Sequence, residues 1–248
     1  MSYPQGAEPV DIVGNLRRVR ESIVEAAEAA GRDPKSVRLL PVSKTVSDER
    51  IKIAIEAGER RFGENKVQEA KRKSETFADE ALDWVIIGNL QTNKARDVAR
   101  FASEVQSLDR LRLAEILERR LQLEGRAIDV LVQVNTSGEA TKSGLRPEEV
   151  PAFMKELRSF ETLRVKGLMT LALFSDDMDA VRACFRRLRE LRDRLRDLPQ
   201  NDWELTELSM GMSGDYRVAI EEGSTEVRIG QAIFGPRPLP DSHYWPTG

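Results

Sequence analysis

Lys44 follows the apolar run Val37-Arg38-Leu39-Leu40-Pro41-Val42 almost at once, in the triplet Ser43-Lys44-Thr45. A lysine held against apolar walls has its charged form disfavoured by desolvation, which leaves a neutral amine able to attack an aldehyde and form a Schiff base. A second stretch, Phe62-Gly63-Glu64-Asn65, offers in Asn65 a side chain that both donates and accepts hydrogen bonds. A third, Ile87-Gly88-Asn89-Leu90-Gln91-Thr92-Asn93-Lys94, is dense in amides. Further on, Ser209-Met210-Gly211-Met212-Ser213-Gly214-Asp215 sets two hydroxyls and two glycines ahead of a helix whose first N–H groups are free, a pattern that suits a phosphate. Val227-Arg228-Ile229-Gly230-Gln231 adds an arginine and another glycine. An amine, phosphate donors and an arginine together describe an aldehyde-bearing phosphorylated ligand. Pyridoxal 5′-phosphate meets that description, and so does the substrate of a sugar-phosphate lyase with a Schiff-base lysine.

Each piece also has an ordinary structural reading. Lys44 can be a surface lysine at a strand end, Ser213 a helix cap, Gly63 and Gly230 simple turns, and Arg228 the partner of a core carboxylate. What would set the functional reading apart is an architecture that brings these stretches to one place.

Short apolar runs alternate with longer amphipathic ones along the chain. Strands are expected at residues 37–42, 61–62, 84–87, 104–106, 128–134, 164–168, 204–207 and 226–229. Between them lie helical segments. One has Asp109 as its N-cap, an apolar stripe of Leu113, Leu117 and Leu121, and Gly125 as its stop. Another carries Ile12, Leu16, Val19 and Ile23 and ends at Gly31 and Pro34; a third carries Val181, Phe185, Leu188 and Leu195 after the acidic start Asp176-Asp177. Eight strands in 248 residues, each followed by a helix, fit an α/β fold of the single (β/α)8 barrel type, with an open doubly wound sheet as the alternative. In a barrel the site is built where strands end, and those ends are where the candidate residues stand. The loops after the seventh and eighth strands, which hold Ser213 and Gly230, often bind phosphate.

Composition removes other chemistries. The 39 basic and 42 acidic residues give a net charge of -3, which argues against a general nucleic-acid binder. Hydrophobic residues at 40% can fill a core, and no apolar stretch approaches membrane-spanning length, so no membrane partner is expected. Residues 1–10 lack the charge and apolar run of an export signal, which makes the cytoplasm the default. Cys184 is the single cysteine and falls on an apolar helical face, where a buried thiol is ordinary. His243 is the single histidine and lies in a tail expected to be irregular from about residue 236 to 248. A Ser-His-Asp triad, a Cys-His dyad or a multi-histidine metal site would all have to pass through His243, so no metal is expected. No Gly/Ser or Pro-rich linker divides residues 1–248, which read as one domain.

The ordered set Val42-Ser43-Lys44-Thr45, Phe62-Gly63-Glu64-Asn65, Ile87-Gly88-Asn89-Leu90-Gln91-Thr92-Asn93-Lys94, Ser107-Leu108-Asp109, Gln133-Val134-Asn135, Gly167-Leu168-Met169, Leu208-Ser209-Met210-Gly211-Met212-Ser213, Val227-Arg228-Ile229-Gly230 and Ile233-Phe234-Gly235 resembles the YggS/PROSC family of pyridoxal phosphate homeostasis proteins. The resemblance implies the barrel of alanine racemase standing alone, without a C-terminal β domain. It implies that Lys44 holds pyridoxal 5′-phosphate as an internal aldimine. It also implies that Arg228 faces the pyridine nitrogen, where a lasting cation weakens the cofactor as an electron sink. Ser213, Gly230 and Gln231 would contact the phosphate, and Asn65 and Met210 would line the pocket. Three positions depart from the family's usual residues: Lys66 stands where tyrosine is common, and Asn89 and Gln106 where histidine is common. Lys66 places a second amine near the expected mouth.

The implied function is non-catalytic: reversible binding of the cofactor for vitamin B6 homeostasis, with delivery to pyridoxal-phosphate-dependent apo-enzymes as a further role. The alternative is an amino-acid racemase or related enzyme of weak activity. Racemisation needs proton transfer on both faces of a carbanion, and the three tyrosines are Tyr3, Tyr216 and Tyr244, of which Tyr216 alone lies near the expected pocket. A missing acid or base removes about 10²- to 10⁴-fold of rate. The absence of a partner-supplied domain points to a monomer.

Overall fold

A computed structural model describes residues 10–139, 142–198 and 203–236. Tyr3, His243, Tyr244 and the expected tail beyond Pro236 lie outside the described residues. The strands are β1 (Arg38–Pro41), β2 (Arg61–Glu64), β3 (Asp83–Ile86), β4 (Ala102–Leu108), β5 (Ile128–Gln133), β6 (Leu163–Met169), β7 (Glu207–Ser209) and β8 (Glu226–Ile229). All pair in parallel in the order β1-β8-β7-β6-β5-β4-β3-β2. The ring is completed by a parallel bridge between Val42 and Gly63, with Ser43 N donating to the Gly63 carbonyl at 3.0 Å. The expected barrel is therefore present.

Period-two alternation explains the strands. On β5, Ile128, Val130 and Val132 join the large hydrophobic cluster beneath the helices, while Asp129, Leu131 and Gln133 fall on the other face. The helices are α1 (Ile12–Ala29), α2 (Asp48–Glu56), α3 (Val67–Thr76), α4 (Ala95–Phe101), α5 (Leu111–Glu124), α6 (Val150–Leu157), α7 (Met178–Arg196), α8 (Tyr216–Glu221) and α9 (Gln231–Phe234). Their apolar stripes cover the sheet, and Cys184 is buried on α7 as its face requires. Asp177 caps α7 by accepting from the amides of Asp179 and Ala180, and Gly125 ends α5 in the left-handed region at φ 63°.

Three expectations are corrected. Asp109 does not cap α5; that position belongs to Arg110, whose guanidinium pairs with Asp109 instead. The seventh strand runs over Glu207–Ser209 rather than 204–207, because Leu205 is buried with φ at 44° and interrupts the extended run. The rule of a helix after each strand weakens after β8, where α9 is four residues long. α1, which precedes β1, packs against α2, α8 and α9 and fills the outer layer there. Asn15 on α1 donates from Nδ2 to the Ile233 carbonyl at 2.9 Å.

The barrel interior is polar at its N-terminal end. Arg61 bridges Glu104 at 2.7 Å and Glu226 at 3.0 Å, and Arg38 reaches Glu207 at 2.8 Å and Glu226 at 3.4 Å. Burial, and then the neighbouring Glu226 charge, push the Glu104 carboxyl up to about 7. Above this floor, Gln106 donates from Nε2 to both Glu104 and Glu226 and accepts from Ser209 Oγ at 2.7 Å. These strands thus carry a connected polar column instead of an apolar plug.

Candidate functional site at the C-terminal mouth of the barrel

Lys44 stands at the mouth, two residues beyond Val42. A Cβ on Gly63 would meet the Leu40 side chain at 3.2 Å and one on Gly230 the Val42 Cβ at 3.4 Å, and neither Leu40 nor Val42 joins the apolar clusters beneath the helices; Lys44 itself lies in the turn that follows. The turn around Lys44 is held from behind. Lys73 of α3 is fully buried, and its ammonium donates to the Ser43 carbonyl, to Glu64 Oε1 and to Glu69 Oε1, each at 2.7 Å. Ser43 Oγ donates to Glu64 Oε1 at 2.6 Å, and the Thr45 amide donates to Glu69 Oε1 at 2.7 Å. Thr45 has φ at 62°, a conformation that a β-branched residue rarely adopts. Burial raises the Glu64 carboxyl to about 7, against the pull of Lys73. The second Glu64 oxygen is buried without a partner.

The opposite side of the mouth comes from the loops after β7 and β8. The amides of Ser213, Gly214, Gly230 and Gln231 donate no hydrogen bond among the described residues. Ser213 and Gln231 are exposed, Ser213 in the turn before α8 and Gln231 at the start of α9. Ser213 does not cap α8; Asp215 holds that position, and its Oδ1 accepts from the Met212 amide at 2.6 Å, which folds the turn. Burial raises the Asp215 carboxyl, while the Met212 amide and Arg228 oppose the shift. Gly230 brings this side to the lysine strand: a Cβ there would sit 3.0 Å from the Val42 carbonyl oxygen. Unpaired amides and a hydroxyl fit a phosphate group.

Arg228, on β8, is 3% exposed and lies inside the barrel. Its Nη1 donates to Ser209 Oγ at 2.6 Å and its Nη2 to the Thr170 carbonyl at 2.7 Å. Burial lowers its pKa to about 10, while Glu226 and Asp215 hold it up, so it stays cationic at neutral pH. The Ser209-Gln106 link ties this guanidinium to the ion pairs on the floor.

Other residues take different places. The hydroxyl of Ser209 is used inside the barrel, which leaves Ser213 as the free hydroxyl of its loop. Met210 departs from the expected pocket lining: its side chain is fully buried in the core cluster between sheet and helices, and its carbonyl accepts from Ser224 Oγ at 2.7 Å. Met210 supports the loop from behind. Asn65 is half-buried at the exit of β2, where Gly88 presses so close that a Cβ on it would lie 2.3 Å from the Asn65 carbonyl oxygen. Lys66 is exposed at the N-cap of α3. Asn89 is exposed and donates to Ser143 Oγ at 3.3 Å. Tyr216 turns away from the mouth, its hydroxyl donating to Ser22 Oγ of α1 at 2.8 Å.

Sequence reasoning missed Lys73, Glu64 and Glu69. Their signal was the i,i+4 pair Glu69/Lys73 on the buried side of α3, following a glutamate at a strand end. It also left Gln106 without a role, since the partners of a buried amide come from several strands.

Comparison with known proteins gives a consistent picture. The family described as "Alanine racemase, N-terminal domain" matches residues 15–238. The chain is 45% identical over 226 residues to a pyridoxal phosphate homeostasis protein of Pseudomonas aeruginosa, covering 91% of this chain and 96% of that one. It is 42% identical to a protein of the same description from Aquifex aeolicus, covering 90% and 96%. Among solved structures, PipY of Synechococcus elongatus with pyridoxal phosphate bound superposes at a TM-score of 0.80, with 33% identity over 91% of this chain and all of that one.

Proposed function

The chain belongs to the alanine racemase N-terminal domain family, and from that membership we propose that it binds pyridoxal 5′-phosphate at the barrel mouth and acts in the homeostasis of that cofactor. The observation that carries this reading is the set of unpaired amides at Ser213, Gly214, Gly230 and Gln231, joined through the Gly230 contact to Val42, two residues from Lys44. The cofactor supplies an aldehyde that condenses reversibly with an amine and a phosphate that anchors it. Lys44 provides the amine, Ser213, Gly230 and Gln231 hold the phosphate, and Asn65 borders the ring. Arg228 keeps a positive charge toward the ring nitrogen. Its Nε takes no protein partner among the described residues.

The role is that of a holder rather than a racemase. A racemase needs a second proton-transfer group opposite its lysine, and Tyr216 is engaged on the outer layer with Ser22. A cationic Arg228 also disfavours protonation of the ring and so weakens it as an electron sink. Handing the cofactor to apo-enzymes follows from an attachment that water can reverse, and a cytoplasmic monomer suits that task. No described helix is long and apolar enough to cross a membrane.

A visible absorption spectrum with and without added pyridoxal phosphate, taken beside Lys44→Ala, tests this reading. The expected result is a band of the attached cofactor in the unaltered protein alone, with borohydride-trapped mass on the Lys44 peptide. A band absent from both proteins, or trapped mass on Lys66, overturns it.

A further inference from the structure

Lys73 is an expensive residue to bury. A fully enclosed ammonium is tolerated only where its donors are matched, and here three oxygens match them. Two of these bonds bear on the segment that carries Lys44. The Ser43 carbonyl belongs to the peptide bond leading into Lys44, and Glu69, the third acceptor, also takes the Thr45 amide from the peptide bond leading out. Glu64 takes the Ser43 hydroxyl as well. One buried cation and two carboxylates thus fix the backbone on both sides of a single residue. They do so where Thr45 sits in the left-handed region, a conformation that persists only when its surroundings impose it. Nothing in the packing of α3 against β2 calls for a charge, since the neighbouring buried positions on that helix are Val67 and Ala70.

We infer that Lys73 and Glu69 are positioning residues that hold the Lys44 turn in the geometry required for covalent capture of the cofactor, an inference that rests on Lys44 being the attachment point. In the capture step the neutral Lys44 amine adds to the aldehyde carbon, the C=N bond forms and the aldehyde oxygen leaves as water. Lys73 does not react. Its contribution is to keep the amine's backbone from sampling other turns, so that the amine meets the aldehyde while the phosphate is seated.

The test uses the full chain with Glu64→Gln and Lys73→Met together, which removes the buried cation without leaving a buried carboxylate unpaired, and Glu69→Gln as a second, milder variant. Pyridoxal phosphate is titrated into each and followed by the visible band, its pH midpoint and the rate of its appearance. The expected result is a folded protein, by circular dichroism, whose dissociation constant rises by about tenfold or more and whose band forms more slowly. The pH midpoint shifts with it, which a purely structural role would not produce. Folded variants that match the unaltered protein in affinity, rate and midpoint overturn the inference. Should the unaltered protein show no band, the assignment of Lys44 fails instead, so the two failures are distinct. If the double variant does not fold, Glu69→Gln decides the matter by the same measurements.

Discussion

Gly230 and Val42 lie back to back at the seam between the last strand and the first, where a Cβ on the glycine would stand 3.0 Å from the Val42 carbonyl oxygen and 3.4 Å from the Val42 Cβ. The backbone of Gly230 has φ at -117°, open to any residue, so what reserves the position for glycine is space. This spacing sets how near the unpaired amides come to the lysine strand.

Gly230→Ala should push the two strand ends apart. Overpacking of one methyl costs about 1 kcal/mol, read as a lower urea midpoint, and the larger effect should fall on cofactor affinity. An alanine variant with unchanged affinity would show that the seam does not set the site.

Gln106→Leu should unfasten the interior column. It strands the buried oxygens that Gln106 serves on Glu104 and Glu226 and removes the acceptor of Ser209, with an expected loss of about 3 kcal/mol in chemical denaturation. Because Ser209 in turn accepts from Arg228, the absorption maximum of bound pyridoxal phosphate should move as well. A stability loss with no spectral change would mean that Arg228 is held by the Thr170 carbonyl alone.

Stability should fall as pH rises from about 4.5 to 7. Glu64 and Glu104 each titrate near 7 when folded, against an ordinary value of 4.5, so within that window the folded chain holds protons that the unfolded chain has lost. Glu59 and Asp215, also raised by burial, act in the same direction. The carboxyls lowered by their partners, such as Asp48 and Glu149, exert their effect mostly below this window. Each raised group contributes at most about 1.4 kcal/mol per pH unit. Urea midpoints at pH 5 and pH 8 measure the slope, and Glu64→Gln should flatten it.

Much of this was readable in the sequence, for physical reasons that differ by residue. The strands at 128–134 and 226–229 announced themselves because outward apolar positions recur every second residue, and the loops holding Lys44, Ser213 and Gly230 followed from where those runs stop. Ser209 was misread as a loop hydroxyl because the short β7 carries little periodicity and Leu205 breaks the run ahead of it. Met210 shared a motif with Ser213, yet its place in the strand's phase sends its side chain into the core. Lys73 was invisible because a charged residue on an amphipathic helix ordinarily faces water, and only the tertiary structure shows three oxygens closing around it.

The position of α1 has a consequence for the order of assembly. It is the first helix of the described chain, but its partners are α2, α8 and α9, two of them formed by residues beyond 215. The Asn15 bond to the Ile233 carbonyl spans 218 positions. During synthesis α1, with its apolar stripe of Ile12, Leu16, Val19 and Ile23, meets α2 early but completes its packing only when the residues of α8 and α9 arrive. The same late event seats Gly230 against Val42, so the ring and the unpaired amides beside it are finished together, and a nascent chain lacks those amides until Gly230 and Gln231 have been made.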